Sequence, residues 1–299
     1  MKHLSSIHYR HHCAFGFLSC VFSATFLLRH TQALASFPTK TECRRAMTVL
    51  SSLVSNNNEN TVEESKIPLR ILALHGSEGS GKQFAAVVTR LMGESQQQED
   101  WQLHTVDAPF AKGNGLAWWL NPPGVRSYTA EEYPGIEDSI AAVTQALQQQ
   151  QQQNQAQSSS VVDLIVAHSQ GAILTTALLA LQQQQQQQPA ILAHPRVGYI
   201  LNGGAWPNPY TTQLEALLFP EDQRPRILIV TGTADGINPP DSQQRVAAAL
   251  RAAGAVVTTV EHAGGHGVPV SDPVAVREIL DWIAAGMGES NTRDSYIAS

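Results

Sequence analysis

From Lys66 onward, the apolar positions fall into two alternating kinds of segment. Short runs rich in Val, Ile and Leu, at 69–74, 161–167, 197–201, 226–231 and 256–260, are bounded by Gly and Pro. Such runs suit strands buried in a parallel sheet. A further strand is placed at 101–106. Segments 83–92, 134–147, 172–181, 242–253 and 273–285 carry helix-forming composition and spacing. Strand–helix alternation of this kind predicts right-handed crossovers and an α/β fold, a doubly wound, mostly parallel sheet with helices on both faces.

The amino-terminal stretch has a different pattern. Lys2 and Arg10 precede an uncharged apolar run over 14–28, and Ala33-Leu34-Ala35 supplies small residues for cleavage. This reads as a signal peptide over 1–35 and entry into the secretory pathway, an uncleaved anchor being the competing reading. Residues 36–65 begin rich in Ser, Thr and Arg, as in a transit peptide. The junction Ala35-Ser36-Phe37-Pro38 resembles the bipartite signals of algae with secondary plastids. Plastid delivery and simple secretion both fit, and a disordered linker is the plainer alternative. The folded domain is then expected over 66–288, with a flexible tail over 289–299.

Composition narrows the function classes. At 299 residues with 42% hydrophobic content, the chain has material for a core, so disorder throughout is excluded. No apolar run reaches the ~20 residues of a spanning helix, so no stable membrane span is expected. Six of the 19 basic residues and one of the 25 acids fall before position 46. The rest therefore holds 13 bases against 24 acids, a net charge of −11. Such a body repels polyanions, which argues against nucleic-acid binding. Cys13, Cys20 and Cys43 are the only cysteines, so the body has no disulfide, thiolate metal site or cysteine nucleophile. The glutamine runs 148–153 and 182–188 each follow a helix and precede a strand. That puts them at the sheet edge opposite the one where ligands bind, as neutral insertions.

Three loops at the other edge carry candidate chemistry. The run 161–167 leads into Ala167-His168-Ser169-Gln170-Gly171, a small-x-Ser-x-Gly turn followed by a helix. So sharp a turn brings backbone close to the serine, hence its small flanking residues; Ala167 stands where glycine is usual. This is the nucleophile elbow of α/β-hydrolases, the alternative for Ser169 being a plain helix N-cap. A serine hydroxyl needs a base. His266 lies between two glycines beyond the last strand, while His262 sits at the strand end and supports the loop. His104 and His194 read as ordinary polar residues. Asp235, in the loop after 226–230, is the carboxylate to orient the imidazole, and Asp241 reads as a helix N-cap. The order Ser169, Asp235, His266 is that of this fold. The glycine-rich loop 75–81 makes the backbone N–H groups of Ser77 and Gln170 the candidate oxyanion donors. Gly76–Gln83 also matches a phosphate loop, except that Gln83 replaces the Mg²⁺-binding hydroxyl and no predicted strand ends in a suitable acid. Lys82 is read as a solvated first-turn residue, and no metal or cofactor is expected.

His75-Gly76 with its loop, Trp118-Trp119, Tyr133–Ser139, His168-Ser169-Gln170-Gly171 and His262-x-Gly-Gly-His266-x-Val-Pro together resemble the fungal-type family of serine hydrolases, FSH. That family includes the ovarian-cancer-gene-2 hydrolases. The resemblance runs from about Leu69 to Ala285 and implies a hydrolase fold without a large lid, acting on carboxylic esters and sometimes thioesters. The aromatic loop 108–133, with Trp118 and Trp119, is a candidate pocket for the apolar acyl or alkyl chain of a small-molecule substrate; packing of the loop onto the sheet is the alternative. A lysophospholipase-like thioesterase and a ligand-binding protein on a hydrolase scaffold stay open as other functions. Nothing marks an oligomer interface.

Overall fold

The strands are β1 Leu69–Leu74, β2 Trp101–Val106, a hairpin of β3 Phe110–Lys112 and β4 Gly115–Ala117, then β5 Leu164–His168, β6 Gly198–Asn202, β7 Arg226–Gly232 and β8 Val256–His262. The helices are α1 Gly81–Met92, α2 Ile136–Gln153, α3 Gln170–Gln182, α4 Thr211–Glu215, α5 Pro240–Ala252 and α6 Pro273–Ile297. The structure is a computed structural model and describes residues 68–93, 101–153, 162–182 and 195–297. The expectations for 1–65, for the glutamines after Gln182 and for His194 lie outside these residues. Among the described residues, no helix is long and apolar enough to cross a membrane.

All the strands except the hairpin form one parallel sheet in the order β2-β1-β5-β6-β7-β8. Strands β1 and β6 are buried at every position, while the edge strands β2 and β8 carry the exposed ones. Successive residues of a strand point to opposite faces, and each face has its own core. On one side, Ile71, Ala73, Val166 and Leu228 pack with Phe84, Val88 and Leu91 of α1 and Ile279 and Trp282 of α6. On the other, Leu72, Leu74, Ile165 and Leu201 meet Val143 of α2, Ile173 and Leu178 of α3, and Val246 and Leu250 of α5. Helix α3 is buried from Gly171 to Ala180, its only polar side chains there, Thr175 and Thr176, bonding back to the Gly171 and Ala172 carbonyls.

The chain steps one way along the sheet from β1 to β2, then returns past β1 to β5 and continues in that direction to β8. Crossovers of one hand require a reversal of direction to be a reversal of face, and α1 indeed lies on the opposite face from α2, α3 and α5. The neighbouring strands β1 and β5 thus diverge in their onward connections, and the crevice at their carboxyl ends is where open α/β sheets bind ligands.

Three local expectations are corrected. Helix α2 runs through Gln153, so the first glutamine run lengthens a helix instead of forming a loop; glutamine is a good helix former, and the run stays at the amino edge of β5. Asp241 lies in the first turn of α5, whose cap position is Pro239. Helix α6 continues to Ile297 through the stretch expected as a tail.

At that amino edge, the buried Asp163 carboxylate accepts from the Arg70 backbone N–H at 2.9 Å and from its Nε at 3.0 Å and Nη2 at 3.1 Å. Arg196 Nε stands 3.3 Å from Oδ1, the oxygen that also accepts from Arg70 Nη2. Removing the carboxylate deprives the buried Arg70 guanidinium of this paired, charge-assisted partner. Asp163→Ala is therefore expected to lower the unfolding free energy by about 3–5 kcal/mol in urea titrations, and a loss below about 1 kcal/mol contradicts this.

Candidate active site

Strand β5 ends in a turn that forces Ser169 to φ 53°, a left-handed conformation that a non-glycine residue rarely adopts. The Ser169 N–H donates to the carbonyl of Asn202 at the end of β6, 2.9 Å away. Small neighbours make the turn possible. A Cβ on Gly171 would meet the Leu74 carbonyl at 2.4 Å, and one on Gly76 would meet Ser169 Cβ at 2.9 Å. Ala167 pairs with Leu74 between β5 and β1, and its methyl is wholly buried in the core.

Two further loops deliver partners to this serine. His266 Nε2 lies 2.7 Å from Ser169 Oγ, and His266 Nδ1 lies 2.8 Å from Asp235 Oδ2. The carboxylate can only accept, so Nδ1 donates to it, and Nε2 is the ring's acceptor, facing the serine hydroxyl. Asp235 itself is buried and held on every side. Its Oδ1 accepts from the N–H groups of Ile237 and Asn238, both at 2.9 Å, and its Oδ2 also accepts from Gln243 Nε2 at 3.2 Å. The His266 loop is seated by glycines: Gly203, at φ 57°, lets that ring approach, and a Cβ on Gly232 would collide with the Gly265 carbonyl. His262 is buried beneath, its Nδ1 accepting from the Gly264 N–H at 3.2 Å, a support for the loop.

Ser77 and Ser169 line one cleft of about 430 Å³, with His168 and His266. Gln170 begins α3 directly after the serine. In the loop after β1, the N–H groups of Glu78 and Gly79 are engaged by the Leu116 and Gly76 carbonyls. The hairpin, invisible as periodicity, braces this loop: the Leu116 N–H returns a bond to the Gly79 carbonyl, and Lys112 Nζ reaches Ser77 Oγ at 2.9 Å.

Trp118 and Trp119 do not line the cleft; both are wholly buried. Gln170 clamps them, its Oε1 accepting from the Trp118 N–H at 2.9 Å and its Nε2 donating to the Trp119 carbonyl at 3.0 Å. Trp118 Nε1 donates to the His75 carbonyl at 2.7 Å, and Trp119 stacks on Tyr133. The pair thus fastens the aromatic loop to the elbow, and the cleft's apolar wall comes instead from Phe84, Val87 and Ile237. The phosphate-loop reading fails for an electrostatic reason. Asp107, the residue after β2, accepts from the Gly81 N–H at 2.7 Å, so a carboxylate already occupies the α1 terminus where an anion would sit. Lys82 is exposed there. Among the described residues, no cluster of His, Cys, Asp or Glu could hold a metal ion.

A family description, serine hydrolase (FSH1), matches residues 65–277. The chain belongs to the FSH1 serine hydrolase family. The resemblance carried by the elbow, the tryptophan pair and the His-Gly-Gly-His loop is thereby borne out. Solved structures share the fold. Arabidopsis thaliana SOBER1 aligns with TM-score 0.57 at 20% identity over 74% of this chain and all of that one. A Bacillus cereus carboxylesterase aligns with TM-score 0.52 at 16% identity over 75% of this chain and 91% of that one. A Mesorhizobium loti carboxylesterase gives 0.51 at 16% identity over 72% and 88%. No curated protein sequence matches.

Several imidazoles of this FSH1 hydrolase are buried or half-buried. His168, with Nδ1 2.9 Å from Asn202 Nδ2, is held down to about pKa 4 by burial and by the neighbouring His266. His75, His104 and His262 are lowered too, each chiefly by burial. His75 bridges the Gly76 carbonyl and the Ala108 N–H, and His104 meets Gln150. Folded, these rings refuse protons that the unfolded chain takes up below about pH 6.5. Stability is therefore expected to fall as pH drops from about 6.5, with the loss attributable to His168 complete near its folded pKa of about 4. Urea midpoints at pH 7.5, 6.5 and 5.5 check the sign, and a midpoint that stays level or rises on acidification contradicts it.

Proposed function

We propose that this serine hydrolase cleaves carboxylic esters through an acyl-enzyme on Ser169, with His266 as general base and acid and Asp235 as the orienting carboxylate. The observation that carries the reading is the unbroken chain from Asp235 Oδ2 through His266 to Ser169 Oγ, at 2.8 and 2.7 Å. Attack by Oγ on the ester carbonyl transfers the hydroxyl proton to His266 Nε2. The imidazolium formed is stabilised by Asp235 and then protonates the departing alcohol. Water, deprotonated by the same nitrogen, attacks the acyl-enzyme and frees the acid and Ser169.

The N–H groups of Ser77 and Gln170 are assigned to the oxyanion. Ser77 lies in the turn after β1 and lines the cleft with Ser169, and Gln170 N–H opens α3, where the helix dipole favours developing negative charge. Phe84, Val87 and Ile237 supply a surface for an apolar acyl or alkyl group, and about 430 Å³ is within the range of small-molecule sites.

Ser169→Ala and His266→Ala are expected to lose fluorophosphonate labelling and to lower kcat on p-nitrophenyl esters by on the order of 10⁴-fold or more. Asp235→Asn should fall by roughly 10⁴-fold while remaining folded. Labelling and turnover that persist in Ser169→Ala would sink the assignment.

A further inference from the structure

The cleft beside Ser169 holds an electrostatic anomaly. The body of the chain carries a net charge of −11, yet the charged residues lining this cleft are Lys112, Arg126 and Glu78, a net positive set. Lys112 is already engaged, 3.6 Å from Glu78 and hydrogen bonded to Ser77. Arg126 is not: among the described residues, no carboxylate pairs with its guanidinium, and the residue lines the same cleft as the serine.

Its backbone is unusually well held for an exposed residue. The Arg126 carbonyl accepts from the N–H groups of Thr129 and Ala130, both at 2.9 Å, and from Thr129 Oγ1 at 3.0 Å. Next to it, the Ser127 carbonyl accepts from the Tyr133 hydroxyl at 2.9 Å, and Ser127 Oγ accepts from Asn121 Nδ2 at 3.0 Å. Val125 and Tyr128 on either side pack against the core. The loop therefore turns two side chains inward and holds exposed Arg126 at the cleft on a hydrogen-bonded backbone, which limits the entropy lost on engaging a ligand.

We propose that Arg126 recognises an anionic group on the substrate, so that the preferred esters are amphiphilic: an apolar segment along Phe84, Val87 and Ile237, and a carboxylate or similar anion remote from the scissile bond. The proposal rests on the ester-hydrolase reading above and specifies its substrate class. A guanidinium matches a carboxylate through paired, charge-assisted hydrogen bonds, and a local cation on an acidic body also concentrates anions that the rest of the surface repels. The anion belongs to either the acyl or the alcohol side, and two assay arms separate these sources.

For the acyl side, the full chain is assayed on p-nitrophenyl pentanoate and on mono-p-nitrophenyl glutarate, which adds a terminal carboxylate, with uncatalysed rates subtracted. For the alcohol side, phenyl butanoate is compared with the butanoyl ester of 4-hydroxybenzoate. The readout is the ratio of kcat/KM for the anionic over the neutral ester. Arg126→Ala is expected to lower that ratio about 10-fold in one arm, chiefly through KM. Arg126→Glu should lower it further, Arg126→Lys less, and added salt should narrow the wild-type ratio. Neutral esters turned over with ratios unchanged within about twofold in both arms for all three variants would overturn the proposal alone. No turnover of any ester by the wild type would instead overturn the ester-hydrolase reading, and this proposal with it.

Discussion

The turn at Ser169 is the constraint on which the rest depends. A serine at φ 53° is strained by roughly 1–3 kcal/mol, and such strain persists only where the surroundings over-determine it. Here they do. Strand β5 ahead of the turn and helix α3 behind it are both buried, so neither end can relax without exposing core. Glycine at 76 and 171 then follows from distance alone, since the turn draws the β1 loop and the β1 carbonyls against it. Gln170 continues the same logic by using its side chain to bind the aromatic loop to the elbow.

The second requirement is a fixed carboxylate. Asp235 has its acceptor positions filled by two backbone N–H groups, Gln243 and His266, so its orientation is set by β7, α5 and the turn between them. The fold brings this carboxylate and the elbow to one edge because the strands all run parallel. The glutamine run in α2 sits at the opposite edge, where added helical turns leave the carboxyl-end loops in place.

Features that depend on local chain pattern were legible in the sequence. The strand at 101–106 and the turn at Ser169 can be read because alternation, small residues and glycines lie close together along the chain. The order of Ser169, Asp235 and His266 follows from the sequence of strands. What was not legible arises from long-range contacts. Trp118 and Trp119 left pocket and packing readings both open because their clamp, Gln170, lies some fifty residues away. Strands β3 and β4 are only three residues each, too short for a period to register, yet they brace the loop carrying Ser77. Gln243 had no signal at all: it is one of two adjacent glutamines in an amphipathic helix, and its contact with Asp235 exists only once α5 packs beside β7.

The central claim is that this strained turn presents Ser169 as the group that carries the acyl intermediate. The most direct measurement mixes the full chain with excess p-nitrophenyl acetate, quenches in acid during the initial burst, and locates the acyl group by tandem mass spectrometry of the digested protein. The account predicts one acetyl group per chain, on Ser169, appearing with the burst of p-nitrophenol and absent from His266→Ala. Steady turnover with Ser169 unmodified throughout, or with the acetyl group on another residue, would contradict it.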